Sequence, residues 1–180
     1  MAVLSPMRHL TIYSLLAVAV IALATRTARA AAVQVGDRLP TVSVSDWQGD
    51  AVDVTAAPSQ VMVIDFWASW CQPCRAALPA LNEIARRHAA AGLQVVAINI
   101  DKAQAPADAF IGKFVPALAM TLRRDASGAA LARFGAAGMP ALYVVDRRGV
   151  VRLVEAGFTA DKLGDVEALL VNLLDTSEAP

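Results

Sequence analysis

The chain has 180 residues, 57% of them hydrophobic, with 16 basic and 16 acidic residues, two cysteines and two histidines. This length fits one domain with a substantial core plus a targeting segment, and a neutral chain without a basic block gives no reason to expect nucleic acid as a partner. Two cysteines exclude a disulfide framework, and Cys71, Cys74 and His88 fall short of the four ligands of a closed structural zinc site.

Residues 1–30 have the layout of an export signal. Arg8 and His9 precede a mostly apolar stretch over residues 10–24, and Ala28-Arg29-Ala30 is a small-x-small cleavage motif. We expect cleavage after this motif. The alternatives are a retained membrane anchor, although a spanning helix needs about 17–25 residues, and a buried core helix. With a signal or an anchor, the domain lies in the periplasm or on the outer face of the cytoplasmic membrane, where disulfides are permitted.

Without residues 1–30, which hold three arginines and no acid, the chain has 13 basic and 16 acidic residues and a net charge of −3. The remaining chain begins with "TVSVSD" and "AVDV", which predict two short strands around a turn at Gly49. A near-continuous apolar run, Val61–Ala68, predicts a buried central strand of a parallel type.

Helical periodicity starts at Cys71 and continues to about residue 90, where Gly92 ends the predicted helix. The further predicted elements are a strand over 93–100, a helix over 106–115, a short strand over 117–122, a helix over 128–134, a hairpin of 141–146 with 150–158, and a closing helix over 160–174. This order predicts an α/β fold with a mixed sheet flanked by helices. We expect one domain over residues 35–174 and a flexible tail over residues 175–180.

Cys71 and Cys74 are the candidate redox pair. At the junction of a buried strand and a helix, the Cys71 sulfur is expected to be exposed and to face unpaired N–H groups and the positive helix end, which favour the thiolate. Pro73 fits the first helical turn, where its missing N–H costs nothing. Cys71 would attack a substrate disulfide, and Cys74 would resolve the mixed disulfide. A structural buried pair or half of a metal site is the alternative.

Two segments carry a family resemblance. "VIDFWASWCQPCRAALPAL" resembles the active-site segment of the thioredoxin superfamily, including a helix proline, Pro79, five residues after the second cysteine. "GMPALYVVDRRGVV" resembles the segment that carries the cis-proline opposite the cysteines, which implies a cis bond between Met139 and Pro140. An ordinary loop proline is the alternative at Pro140.

The whole pattern is most similar to the exported TlpA/ResA-like branch. This resemblance implies a thioredoxin-like three-layer fold with a central mixed β-sheet, an N-terminal β-hairpin, and an insert between the second core strand and the cis-proline. Many members have Asn where this chain has Asp65, and ResA-type relatives have Glu where Lys102 stands beside Asp101. We therefore predict that Asp65, on a buried strand under the cysteines, has a raised pKa and takes the proton from Cys74. A hydrogen-bonded core acid is the alternative.

The substrate-docking face is predicted around Cys71. Trp70 is expected to cover this cysteine; the alternative is that Trp70 packs in the core. Gln72 between the cysteines is expected to influence the thiolate pKa, while Trp67 is expected in the core and His88 in solvent. The candidate catalytic residues are Cys71, Cys74, Asp65 and Pro140, and the candidate substrate-docking residues are Trp70, Met139, Gln72 and Pro73.

These features predict an envelope thiol–disulfide oxidoreductase that is a monomer and needs no cofactor or resident metal. The resemblance implies reduction of protein disulfides in apocytochrome c or copper-site assembly, with electrons from a membrane-bound dithiol donor. A thiol peroxidase is disfavoured because such enzymes place Thr or Ser where Ala68 stands, and a copper chaperone using both cysteines and Met139 is the other alternative. The direction of electron flow stays open, since related potentials run from about −270 to about −120 mV.

Overall fold

A computed structural model of the chain describes residues 32–57 and 59–176, so the predicted export segment lies outside the described residues. A seven-stranded mixed sheet has the order β2-β1-β5-β4-β3-β6-β7. β3 is central, parallel to β4 and antiparallel to β6. The strands are β1 Val42–Ser45, β2 Ala51–Val54, β3 Val61–Trp67, β4 Leu93–Asn99, β5 Thr121–Arg124, β6 Ala141–Val145 and β7 Val151–Ala156. The predicted mixed sheet and N-terminal hairpin are confirmed.

Helices cover both faces of this sheet. They are α1 Cys74–His88, α2 Ala105–Phe114, α3 Ala129–Phe134 and α4 Leu163–Asp175, with short 3-10 helices at Ala89–Ala91 and Ala160–Lys162. As predicted, the helical segment after the cysteines ends at Gly92, whose φ of 91° lies in the left-handed region. Among the described residues, no helix combines the length and the apolar character needed to cross a membrane.

The faces of the sheet are set by the alternation of side chains along β3. Val61, Val63 and Trp67 belong to one core cluster, which also contains buried residues of α1, α2 and α4. Met62, Ile64 and Phe66 point to the opposite face and pack with the buried side of α3 and with β1. On that second face the rings of Phe66, Phe134 and Tyr143 meet edge to face, at centroid distances of 4.7–6.3 Å. Helices on both faces confirm the three-layer architecture.

The C-terminal end of α1 is fixed to α4. Glu167 lies 2.7 Å from His88 Nε2 and accepts a 2.8 Å bond from Arg87 Nη2. The prediction that His88 is merely solvated was therefore wrong, because α1 and α4 pack on the same sheet face and bring the basic last turn of α1 to a carboxylate.

The predicted short strand over 117–122 was wrong in its position, since β5 starts at Thr121 and continues to Arg124. The reason is the buried Asn82 of α1. Its Nδ2 donates to the Ala117 carbonyl, and its Oδ1 accepts from the Ala119 N–H, both at 2.8 Å. These bonds take backbone groups that a strand would pair with its neighbour.

Asn82→Ala is expected to lower the free energy of unfolding by about 2 kcal/mol, because the buried Asn82 side chain makes two hydrogen bonds, to the backbone of Ala117 and of Ala119, and both are lost. Chemical denaturation with an unchanged m-value measures this loss. Asn172→Ala, at an exposed position of α4, is the matched control and is expected to change stability by less than about 0.5 kcal/mol. Equal effects of the two changes would contradict the assigned role of Asn82.

Candidate active site

The two cysteines form a disulfide in the turn between β3 and α1. Their sulfurs are 2.12 Å apart, and their Cα atoms are separated by 5.3 Å. The sulfur of Cys71 also accepts the backbone N–H of Cys74 at 3.4 Å. This confirms the predicted pairing and places one sulfur at the open N–H groups that begin α1.

The helix begins later than predicted, and Cys71 is less exposed than predicted. α1 starts at Cys74, with Pro73 as its N-cap residue, so Cys71 lies in the preceding turn. Cys71 is 5% exposed and Cys74 is 1% exposed. The expectation of an exposed Cys71 was wrong because the segment after β3 folds the cysteine against the core, leaving it accessible from one side only. A reaction partner must therefore approach from a cavity beside it.

A cavity of about 530 Å³ opens beside the disulfide. Its walls include Cys71 and all four predicted docking residues, and Trp70, at 67% exposure, forms its outer rim. None of the described residues that line it carries a charge. The lining residues are Trp70, Cys71, Gln72, Pro73, Ile100, Leu131, Ala136, Ala137, Gly138 and Met139. The structure thus brings the predicted docking residues together around one reactive group.

The segment before β6 also lines the cavity. The Met139–Pro140 bond is cis, which confirms the prediction. The Pro140 carbonyl accepts the N–H of Gly157 at 2.8 Å, so this segment is fixed to the end of β7. Pro140 itself does not line the cavity; its neighbour Met139 does.

Sequence reasoning missed five of the lining residues. Ile100 ends the predicted second strand, Leu131 is on α3, and residues 136–138 form the loop that leads to the cis-proline. The run of small residues before Met139 was the available signal, since short side chains leave space next to a neighbouring cysteine.

Asp65 lies on β3 among apolar side chains. It is 1% exposed, and its Oδ1 has no hydrogen-bond partner in residues 32–57 and 59–176. Burial without a compensating cation raises the pKa of the Asp65 carboxyl well above its usual value. Because side chains alternate along a strand, Asp65 projects to the same face as Val63 and Trp67, where α1 and its Cys74 pack. Trp67 is fully buried there, as predicted.

Two charged residues in the segment after β4, Asp101 and Lys102, behave differently from each other. Lys102 turns away and donates to the Ala126 carbonyl at 2.7 Å. Asp101 is buried and accepts two hydrogen bonds from Ser69, two residues before Cys71. The polar pair Asn99 and Asp101 at the end of a buried strand was the sequence signal for this contact.

Comparisons with known proteins give one consistent result. The model of the Redoxin family matches residues 34–170. The thiol-disulfide oxidoreductase ResA of Geobacillus thermodenitrificans is 25% identical over 126 residues, which are 70% of this chain and 71% of that protein. The thioredoxin-like protein YneN of Bacillus subtilis is 27% identical over 133 residues, covering 72% and 76% of the two chains.

Solved structures show the same fold. A protein designated thiol:disulfide interchange protein DsbE from Chlorobium tepidum superposes with a TM-score of 0.72 at 31% identity, covering 79% of this chain and 99% of that chain. A secreted disulfide oxidoreductase of Mycobacterium tuberculosis has a TM-score of 0.60 at 22% identity, covering 71% and 95%.

Proposed function

Because the chain belongs to the Redoxin family, we propose that it is a thiol–disulfide oxidoreductase of the cell envelope that exchanges its Cys71–Cys74 disulfide with protein substrates. One observation carries this proposal: the disulfide lies at the wall of an open, uncharged cavity. A disulfide with a purely structural role would not need to border an open cavity. The resemblance to thiol-disulfide oxidoreductases and interchange proteins supports the same activity.

The reductive cycle begins with the reduced protein. The Cys71 thiolate, stabilised by the N–H groups at the start of α1, attacks one sulfur of a substrate disulfide from the cavity side. The substrate S–S bond breaks, its second sulfur leaves as a thiolate and takes a proton from solvent, and a mixed disulfide with Cys71 remains.

Cys74 closes the cycle. Its thiol passes a proton to the Asp65 carboxylate, and its sulfur attacks the Cys71 sulfur, which releases the substrate as a thiol once it takes up a proton. Two electrons have moved from the protein to the substrate, and the Cys71–Cys74 disulfide has formed. Asp65 suits this task because burial raises the pKa of its carboxyl well above its usual value, which makes the carboxylate a stronger base for the Cys74 proton.

Substrates are proteins whose cysteines must be reduced before a cofactor is attached, namely apocytochrome c or a protein with a copper site. A membrane-bound dithiol donor reduces the Cys71–Cys74 disulfide again. The export-type sequence of residues 1–30 supports a site of action in the periplasm or at the outer face of the cytoplasmic membrane.

The test is a redox titration of the protein in dithiothreitol and glutathione buffers, followed by exchange with a protein disulfide. We expect one reversible two-electron transition and transfer of electrons to the substrate. A potential near that of thioredoxin, about −270 mV, supports a reductase, whereas one near about −120 mV supports an oxidant. Protein alkylated at the reduced cysteines is the control. A disulfide that mild dithiol does not reduce would contradict the proposal.

Copper binding is a second candidate function, because Met139 lines the same cavity as Cys71 and thiolate and thioether sulfur suit Cu(I). Titration of the reduced protein with Cu(I), beside Cys71→Ser and Met139→Leu variants, tests it. A binding stoichiometry that does not change in these variants would exclude this role.

A further inference from the structure

A buried polar network lies directly behind the active-site turn. Asp101 follows β4, is 4% exposed, and directs both carboxylate oxygens at Ser69. Oδ2 accepts the Ser69 backbone N–H at 3.0 Å, and Oδ1 accepts the Ser69 hydroxyl at 3.2 Å. Ser69 is followed by Trp70 and Cys71, so this contact acts on the part of the turn that meets the substrate.

Asp101 is itself held from several sides. Asn99 Nδ2 donates to its Oδ2 at 2.8 Å, its own N–H donates to Asn99 Oδ1 at 3.1 Å, and Arg124 Nη2 donates to its carbonyl at 3.1 Å. One of these bonds reaches the carboxylate and the other two hold the Asp101 backbone, so the side chain has little freedom to follow a moving loop. The position of Asp101 therefore sets the position of the turn.

The same network extends to another residue that lines the cavity. The Asn99 carbonyl accepts the N–H of Asp125 at 2.8 Å, and the Asp125 carboxylate accepts the N–H groups of Ala129 and Leu131 at the start of α3. Leu131 lines the same cavity as Trp70 and Cys71. One set of buried and part-buried hydrogen bonds at the ends of β4 and β5 thus connects the active-site turn with α3.

We propose that Asp101 is a positioning residue for thiol–disulfide exchange: through Ser69 it fixes the turn that presents Trp70 and Cys71 to the cavity. This inference rests on the proposed function, because its effect is measured on exchange at Cys71. Asp101 touches neither cysteine through a hydrogen bond and acts by geometry. A loosened turn reduces the fraction of encounters in which the sulfur meets a substrate disulfide in line.

Two substitutions separate geometry from charge. Asp101→Ala removes both bonds to Ser69 and is expected to lower the second-order rate constant of Cys71 with a protein disulfide about tenfold. Asp101→Asn removes the charge but keeps the contact, since its amide oxygen accepts the Ser69 N–H and its amide nitrogen donates to the hydroxyl. This variant is expected to stay within about threefold of wild type.

Asp146→Ala is the matched control. Asp146 is 3% exposed and likewise accepts two backbone N–H groups, from Arg148 and Val150, but follows β6 at the opposite end of the sheet from the cysteines. The Asp146→Ala variant is expected to be less stable than wild type, whereas its exchange rate per folded molecule should equal that of wild type. The alkylation rate of Cys71 as a function of pH is measured in parallel, and we expect a shifted profile in Asp101→Ala alone.

Three results would overturn the inference: a wild-type rate in Asp101→Ala, an equal loss in Asp146→Ala, or a loss in Asp101→Asn as large as in Asp101→Ala. If Asp101→Ala does not fold, Ser69→Ala, at a half-buried position, is used instead. We expect this variant to lower the exchange rate constant about twofold. An unchanged rate constant would contradict the role of Asp101. An inactive wild-type protein instead refutes the proposed function, so the two failures are distinguishable.

Discussion

Cys71→Ser is expected to abolish disulfide exchange, lowering its rate by more than about a thousandfold, while Cys74→Ser keeps the first step and stops at the mixed disulfide. The asymmetry follows from the structure. Cys71 lines the cavity and Cys74, at 1% exposure, does not. A substrate sulfur can therefore reach only the first cysteine. Non-reducing electrophoresis and mass spectrometry detect the covalent complex, and stopped-flow kinetics give the rate of its formation.

The two cysteine variants are each other's matched control, because the same atom is replaced at two positions three residues apart. Both retain one thiol and neither can form the internal disulfide. Accumulation of a mixed disulfide in Cys71→Ser at the rate seen in Cys74→Ser would contradict the assignment. Equal alkylation of the two thiols in the reduced wild-type protein would also contradict it.

The elements that place the cysteines were predictable because they depend on local patterns. The apolar run of β3 has the length of a buried strand, and the recurrence of Ala77, Leu78, Leu81 and Ile84 is typical of the buried face of a helix. The cis bond at Pro140 came from a resemblance rather than from a pattern. The composition of the segment around it has no property that requires this isomer.

The missed features depend on contacts between distant residues. Asn82 displaces β5 through bonds to residues 35 and 37 positions away, and Asp101 reaches Ser69 across 32 positions. The burial of Cys71 likewise results from how the turn packs on the core. A single sequence contains no local signal for such pairings, beyond the presence of polar residues at positions that a strand or helix would bury.

Asp65→Asn is expected to slow the resolution of the mixed disulfide about a hundredfold near neutral pH. The amide cannot accept the Cys74 proton, and it has nearly the same shape, so the first step at Cys71 should be unchanged. In the wild-type protein the resolution rate is expected to fall as pH falls through the Asp65 pKa, since the base works only when ionised. The variant should lack this transition. Rapid-quench trapping of the mixed disulfide measures both rates, and a wild-type profile in the variant would exclude the role.

The same substitution is expected to change how stability depends on pH, and this second measurement is independent of catalysis. Burial raises the pKa of Asp65 in the folded protein above its value of 3.8 in a free chain, so folding takes up a proton between the two values. Asp65 therefore reduces stability increasingly as pH rises through this window, by up to about 1.4 kcal/mol for each pH unit, and by a constant amount above it. Relative to wild type, the stability of Asp65→Asn should increase from about pH 4 upward, and the difference should level off at the folded pKa.

Chemical denaturation of the oxidised protein, whose cysteines do not titrate, measures this difference. Asp165→Asn, at a side chain that is 85% exposed, is the reference variant. In both measurements the wild-type transition should lie well above pH 3.8 and should be absent from Asp65→Asn; a transition in the resolution rate that persists in the variant would mean that another group accepts the Cys74 proton.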